Sequence, residues 1–195
     1  MNLVERVKNI MLRPSQTWAV VKDEETTIRE LFVSYAAILA IIPAASAFIG
    51  MSLIGTSMMG IHFRIPFVSG LVHMILSYIL SLVGVYVVAF IIDALAPSFN
   101  SRKDILSAAK VAVFSFTPAW VAGIFMIIPM LGILTVLASL YGLYILYVGL
   151  PVLMDTPREK TLGYFVVIII VSIVVSIIIN VLARLALPSG PMMMP

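Results

Sequence analysis

Ser172, Ser176, Asn180 and Arg184 recur every fourth residue inside an otherwise apolar run, so they trace one slowly drifting face of a helix. Hydroxyls and an amide on such a face can bond to neighbouring helices or line a path for an ion, a small solute or a lipid. The bonding role is favoured, because a polar stripe within a bilayer is satisfied most simply by protein; Arg184, near the helix end, can reach the interface. Tyr78, Tyr86, Tyr141 and Tyr144 could supply hydroxyls to either arrangement. A second set is acidic. Asp93 and Asp155 each close an apolar run and each precede a proline, Pro97 or Pro157, and a basic connection. Either carboxylate could end a helix and pair with Arg102, Lys103, Arg158 or Lys160, and together with Pro97 they could form a charged patch for a partner.

An enzyme has little to work with here. His62 and His73 have no nearby carboxylate in sequence and no spacing of the His-Glu-x-x-His kind, so no metal, cofactor or catalytic residue is assigned. Met192 to Met194 could hold a soft ion but read more simply as part of a loose tail. With no cysteine, disulfides and thiol chemistry are excluded. The net charge of +3 does not point to nucleic acid, because Lys and Arg cluster in short connections beside apolar runs.

The elements that must carry these side chains are membrane helices. Of 195 residues 62% are apolar and 11% charged, with a mean hydropathy of +1.16, far from the quarter or so of charged residues in soluble domains. The first thirty residues are too charged for a secretory signal. Within residues 1–30, Leu3, Val4, Val7, Ile10 and Met11 lie at helical spacing opposite Glu5, Arg6, Lys8 and Asn9, which predicts an amphipathic surface helix. Pro14 redirects the chain, Ser15 can cap a second short helix, and the Trp18 indole suits the headgroup zone. This segment is expected to pack on the bundle without a partner of its own.

A capping box at Thr27 and Glu30 predicts the start of a first span over 31–55, with Ala36, Ala40 and Ala44 as a small-residue stripe. The second span runs over 67–92 and ends at Asp93. Ser101 and Asp104 form a further candidate capping box. No charge occurs from Val111 to Met154, a stretch of roughly 66 Å as one helix, about twice the ~30 Å hydrocarbon layer. It must therefore be two passes, and Ile128 to Gly132, with Pro129, is the break. Ser115, Ala119 and Gly123 make a second small-residue stripe. The fourth span covers 131–154, the fifth 162–187, and 188–195 is an external tail. The expected fold is an all-α polytopic bundle of five transmembrane helices, its membrane domain spanning 31–187, preceded by amphipathic N-terminal helices.

Five spans put Arg6, Lys8, Arg13, Lys22, Arg29, Arg102, Lys103, Lys110, Arg158 and Lys160 on one side, with only Arg64 and Arg184 on the other. The positive-inside rule then places the N-terminus in the cytoplasm and the C-terminus outside.

The Pro14 to Trp18 segment, Asp93-Ala-Leu-Ala-Pro97, Thr117-Pro118, Ile128-Pro129-Met130-Leu131-Gly132 and Tyr144 to Gly149 together resemble the YIP-domain (Ypt-interacting protein) family over nearly the whole chain. The resemblance implies five spans and a cytoplasmic N-terminus. Eukaryotic members are implied in vesicle traffic and in binding prenylated Rab-type GTPases through an Asp-Leu-Tyr-Gly-Pro motif, of which only Asp93 and Pro97 match here. That departure, and the lack of a long cytoplasmic N-terminal region, group the chain with compact prokaryotic members, which implies a prokaryotic cytoplasmic membrane, and weigh against GTPase binding. The function expected is that of a non-enzymatic adaptor or membrane-organising protein, working through helix packing and a cytoplasmic face around Asp93, Pro97 and Asp155. Its partners would be membrane lipids and either a second copy or another membrane protein. The rival is a conduit lined by Ser172, Ser176, Asn180, Tyr141 and Tyr144.

Overall fold

The computed structural model describes residues 2–58 and 61–186, with only the backbone described at 56–58, 61–63, 129 and 179–186. Helix α1 (Leu3–Leu12) is capped by the Asn2 side chain, which accepts from the Val4 N–H. Helix α2 (Pro14–Asp23) begins at Pro14 itself, which has no N–H to leave unsatisfied in a first turn. Ser15 therefore does not cap it. The box at Thr27 and Glu30 forms in both directions and starts α3 (Ile28–Ile54), which contains Pro43 and widens into π turns at Phe32–Ala36 and Ile49–Ile54.

After α3, strands β1 (Thr56–Met58) and β2 (Ile61–Phe63) pair antiparallel, with Thr56 opposite Phe63. The sequence suggests only a connection there; the ribbon pairs backbone groups that the helix no longer satisfies. Helix α4 (Phe67–Leu95) does not stop at Asp93. It continues into a 3-10 turn, Ala96–Phe99, and ends at Asn100, whose φ of 56° is the left-handed conformation common just past a helix.

Helix α5 (Ile105–Ala122) is capped by Asp104, which accepts from the Leu106 N–H, and not by Ser101. A 3-10 turn over Gly123–Ile127, the extended Ile128 and a second turn at Pro129–Leu131 lead into α6 (Gly132–Leu153). The charge-free stretch is thus two crossings. Helix α7 (Arg158–Ala186) completes the bundle.

Helices α3 to α7 are each long and apolar enough to cross a membrane. The architecture is the all-α polytopic bundle the sequence predicts, with the ribbon as its one β feature among the described residues. Helix α5 is the axis: α3, α4 and α6 surround it and α1 touches it, whereas α7 lies outside against α4 and α6. Accordingly 56% of the most apolar window of α5 is buried, against 17% in α7.

Small residues set how closely these helices approach. Ala36, Ala40 and Ala44 are buried. A Cβ on Gly123 would stand 2.6 Å from Pro43, and one on Gly142 would strike the Ser115 carbonyl. The first stripe and Gly123 of the second are therefore points of close packing, whereas Ala119 borders a cavity. Large side chains such as Val68, Ile133 and Ile170 point outward, where lipid rather than water is the solvent.

Candidate functional site

Two places in the bundle carry polar chemistry. The first is the end covered by α1 and α2. Helix α2 lies along α6, and Trp18 is its anchor: fully buried, edge-on to Phe114 at 6.0 Å between ring centres, with Nε1–H donating to the Ile145 carbonyl at 3.2 Å. Gly149 opens a slot for the ring, so protein and not solvent surrounds the indole. A Cβ at Gly149 would come within 2.8 Å of the indole.

Arg6, expected on the wet face of α1, is buried too. It pairs with Glu24 and holds its guanidinium 5.6 Å from the Phe114 ring centre. Lys110 sits buried in the second turn of α5 and donates from Nζ to the carbonyls of Val21 at 2.8 Å and Glu24 at 2.7 Å. These are carbonyls that the end of α2 leaves without helical partners, and a cation is the favourable group there.

The connections after α4 and α6 meet beneath this cover. Lys22 pairs with Asp155 at 2.5 Å, Asp155 lies 3.8 Å from Arg102, and Arg102 pairs with Asp104 at 2.6 Å. The Arg102 N–H donates to the Met154 carbonyl, while Ser101 donates to Thr156, whose hydroxyl donates on to the Leu150 carbonyl. Burial pushes the Asp104 carboxyl up, but donors from Ser107, Arg102 and the Leu106 N–H, with the Arg102 charge, outweigh it and hold the group below its ordinary value.

Asp155 thus pairs with a base from its own end of the molecule, as the sequence suggests, though the principal one is Lys22 of α2. Asp93 does not. It is 8% exposed, its Oδ1 meets no hydrogen-bond partner among the described residues, and it sits in the electrostatic reach of Tyr164. Tyr164 donates to the Ile92 carbonyl and stacks on Phe99 with 4.9 Å between ring centres. Pro97 is exposed in the adjoining turn. The expected pairing of Asp93 with the basic connection is corrected: the helix runs on for a further turn and carries the carboxylate inward.

The second place is a cavity of about 680 Å³ in the membrane-spanning zone. Val88 of α4 forms one edge; Ala112, Ser115, Phe116 and Ala119 of α5 face Ile169, Ser172, Ile173 and Ser176 of α7 across it, and α6 contributes Ser139, Gly142 and Leu143. Ser172 and Ser176 therefore share a face, as their spacing predicts, and that face looks into this space. Ser115 and Ser139 bond back to the Val111 and Thr135 carbonyls at 2.7 and 2.8 Å. Ser172 Oγ is buried and has no partner among the described residues.

The side chains of Asn180, Arg184 and His62, and residues Met192 to Met194, lie outside the described residues. The tyrosines belong elsewhere. Tyr141 donates to the Met11 carbonyl at 2.7 Å and stacks with Tyr144, so this pair ties α6 to the end of α1 instead of lining the cavity. Tyr78 donates to the Ala37 carbonyl, and Tyr86 meets Phe32 edge-on. His73 is exposed, and among the described residues no three His, Asp or Glu side chains gather as a metal site.

Lys110 and the pair formed by Trp18 and Gly149 are the residues sequence reasoning missed. A lysine in the second turn of a span is costly in lipid and in itself signals an interior partner. Gly149 carries no such sign, since its slot exists only when α2 is folded back.

A bundle of five crossing helices, closed at one end by a folded-back amphipathic pair and hollow between α5 and α7, defines a polytopic membrane protein. The Yip1 domain family model matches residues 8–179, and the chain belongs to that family. Similar curated proteins are the inner membrane protein YohC of Escherichia coli strain K12 and its counterpart in Escherichia coli O6:H1 strain CFT073. Each is 25% identical over 165 residues, covering 83% of this chain and 85% of the relative. No solved structure gives a significant match.

Proposed function

We propose that this Yip1-family membrane protein is a non-enzymatic organiser of the prokaryotic cytoplasmic membrane, presenting a fixed cytoplasmic face to a membrane-protein partner or a second copy. The observation that carries the reading is the locking of α1 and α2 onto the bundle by Trp18, Lys110 and the Arg6–Glu24 and Lys22–Asp155 pairs. A simple interfacial anchor needs none of these ties. The excess of Lys and Arg at this end supports its cytoplasmic orientation, and the inner-membrane relatives support the location. Pro97, Asp155 and the outer sides of α1 and α2 make up the face, with Asp93 beneath it as a structural group.

A conduit for ions or small polar solutes draws little support from the cavity, whose described lining carries no charged side chain. The test is purification from native membranes in mild detergent. Wild-type protein should bring a stoichiometric companion or self-associate, and Trp18→Ala, with α2 released, should lose that association. A wild-type chain that is monomeric and alone after chemical crosslinking in cells would sink the reading.

A further inference from the structure

We propose that the cavity between α5 and α7 is a binding site for one acyl chain of a membrane phospholipid, entered from the bilayer. The inference uses the cavity alone and does not rest on the organiser role.

Depth comes first. Ile168 to Ile177 stand ten to nineteen residues after Arg158 on α7, about 15 to 29 Å along the helix axis. The lining of α5 begins about 10 Å from Ile105 by the same measure. The space therefore lies within the hydrocarbon layer, remote from the ionic ties under α2, and its natural neighbours are lipid tails.

Volume and wall chemistry then choose the occupant. A methylene takes up about the room of a water molecule, roughly 30 Å³, so 680 Å³ accommodates a chain of sixteen to eighteen carbons with space to spare. Water would need two to four polar partners per molecule. The walls, mostly Ile, Leu, Val, Ala and Phe, cannot give that many, and two of the serines already spend their protons on their own helices. A hydrocarbon chain restores the dispersion contacts such walls otherwise lack.

Ser172 adds a polar mark. A serine within a helix commonly bonds back to the carbonyl four residues earlier, as Ser115 and Ser139 do. Ser172, which borders the cavity, does not, and its buried hydroxyl meets no partner among the described residues. Helix α7 can admit the chain because it packs mainly on α4 and α6 while facing α5 across the cavity.

The test uses full-length protein in nanodiscs containing phosphatidylcholine with a diazirine midway along one acyl chain. After irradiation, peptide mass spectrometry should place label on Phe116, Ile169 or Ser172. Ala119→Phe and Ser172→Phe, which fill the space from opposite walls, should each lower that labelling at least fivefold. Ile170→Phe, the same enlargement on the outer surface of α7, should leave it unchanged. Label confined to outward positions such as Ile133 and Ile170 in wild-type protein would overturn the proposal even if the filled variants fail to fold. So would rapid modification of Ser172→Cys by a membrane-impermeant thiol reagent, a clean reaction in a chain without native cysteine, since it would show the cavity to be watered.

Discussion

The contact of Trp18 with Gly149 offers the sharpest test of how the lead-in helices are held. Trp18 is fully exchanged from solvent to protein, so Trp18→Ala should cost about 3–5 kcal/mol, the usual range for emptying a buried aromatic site. About 1 kcal/mol of that is the indole hydrogen bond to the Ile145 carbonyl. Gly149→Ala perturbs the same contact from the other side. Its new methyl would lie 2.8 Å from Cε2 and Cζ2 of a flat ring that cannot bend away, so overpacking should cost about 1–3 kcal/mol. Against this stands the helix preference for alanine over glycine, worth about 1 kcal/mol.

Once the indole is gone, the two effects separate. In a Trp18→Ala background, Gly149→Ala should be neutral or stabilising, and the coupling between the sites should reach about 1–3 kcal/mol. Reversible denaturation in detergent would give the four stabilities, and limited trypsin cleavage at Arg13 and Lys22 would report release of α2. Additivity within about 0.5 kcal/mol would refute the reasoning, because residues that do not meet have no reason to couple.

Other outcomes follow from the same geometry. Lys110→Met should expose Arg13 and Lys22 to trypsin and destabilise the fold by about 2–3 kcal/mol, since two α2 carbonyls lose a charged donor; unchanged cleavage and stability would contradict the placement. The Asp104 carboxyl titrates below its ordinary 3.8, so its stabilisation is full above that value and is lost as pH falls through the lower, folded-state value. Melting curves between pH 6 and 3 should accordingly fall less steeply for Asp104→Asn, which keeps a capping oxygen, than for the wild type. For orientation, Lys160→Cys should react with an impermeant thiol reagent only after the cells are opened; labelling in intact cells would reverse the proposed topology.

The bundle was legible because lipid makes the rules few. A charge-free stretch from Val111 to Met154 too long for one crossing had to fold on itself, and Pro129 was the place where the helix could break. The capping box at Thr27 was legible because both partners are local. Ser15 and Ser101 failed as caps for a reason of competition: Pro14 and Asp104 stood beside them with a stronger claim on the same turn. The face carrying Ser172 and Ser176 could be read from spacing, but spacing does not say whether a face meets protein or a void. That depends on how far α7 stands from α5, which no local pattern encodes.

Asp93 and Lys110 show what a one-dimensional charge count misses. Both were placed by their distance from an apolar run, Asp93 as the group that ends α4 and Lys110 as one cation among ten. In the fold α4 winds a further turn, so the carboxylate that should have met the basic connection turns inward beside Tyr164. Lys110, in the second turn of α5, would be costly if it faced hydrocarbon. Its position becomes tolerable only because α2 ends directly over it and supplies two carbonyls. The lysine and the lead-in helices therefore require one another: α2 cannot leave without stranding the charge, and the charge cannot be removed without loosening α2. A basic residue that looks like a topology signal is in this chain also the bolt that closes one end of the bundle.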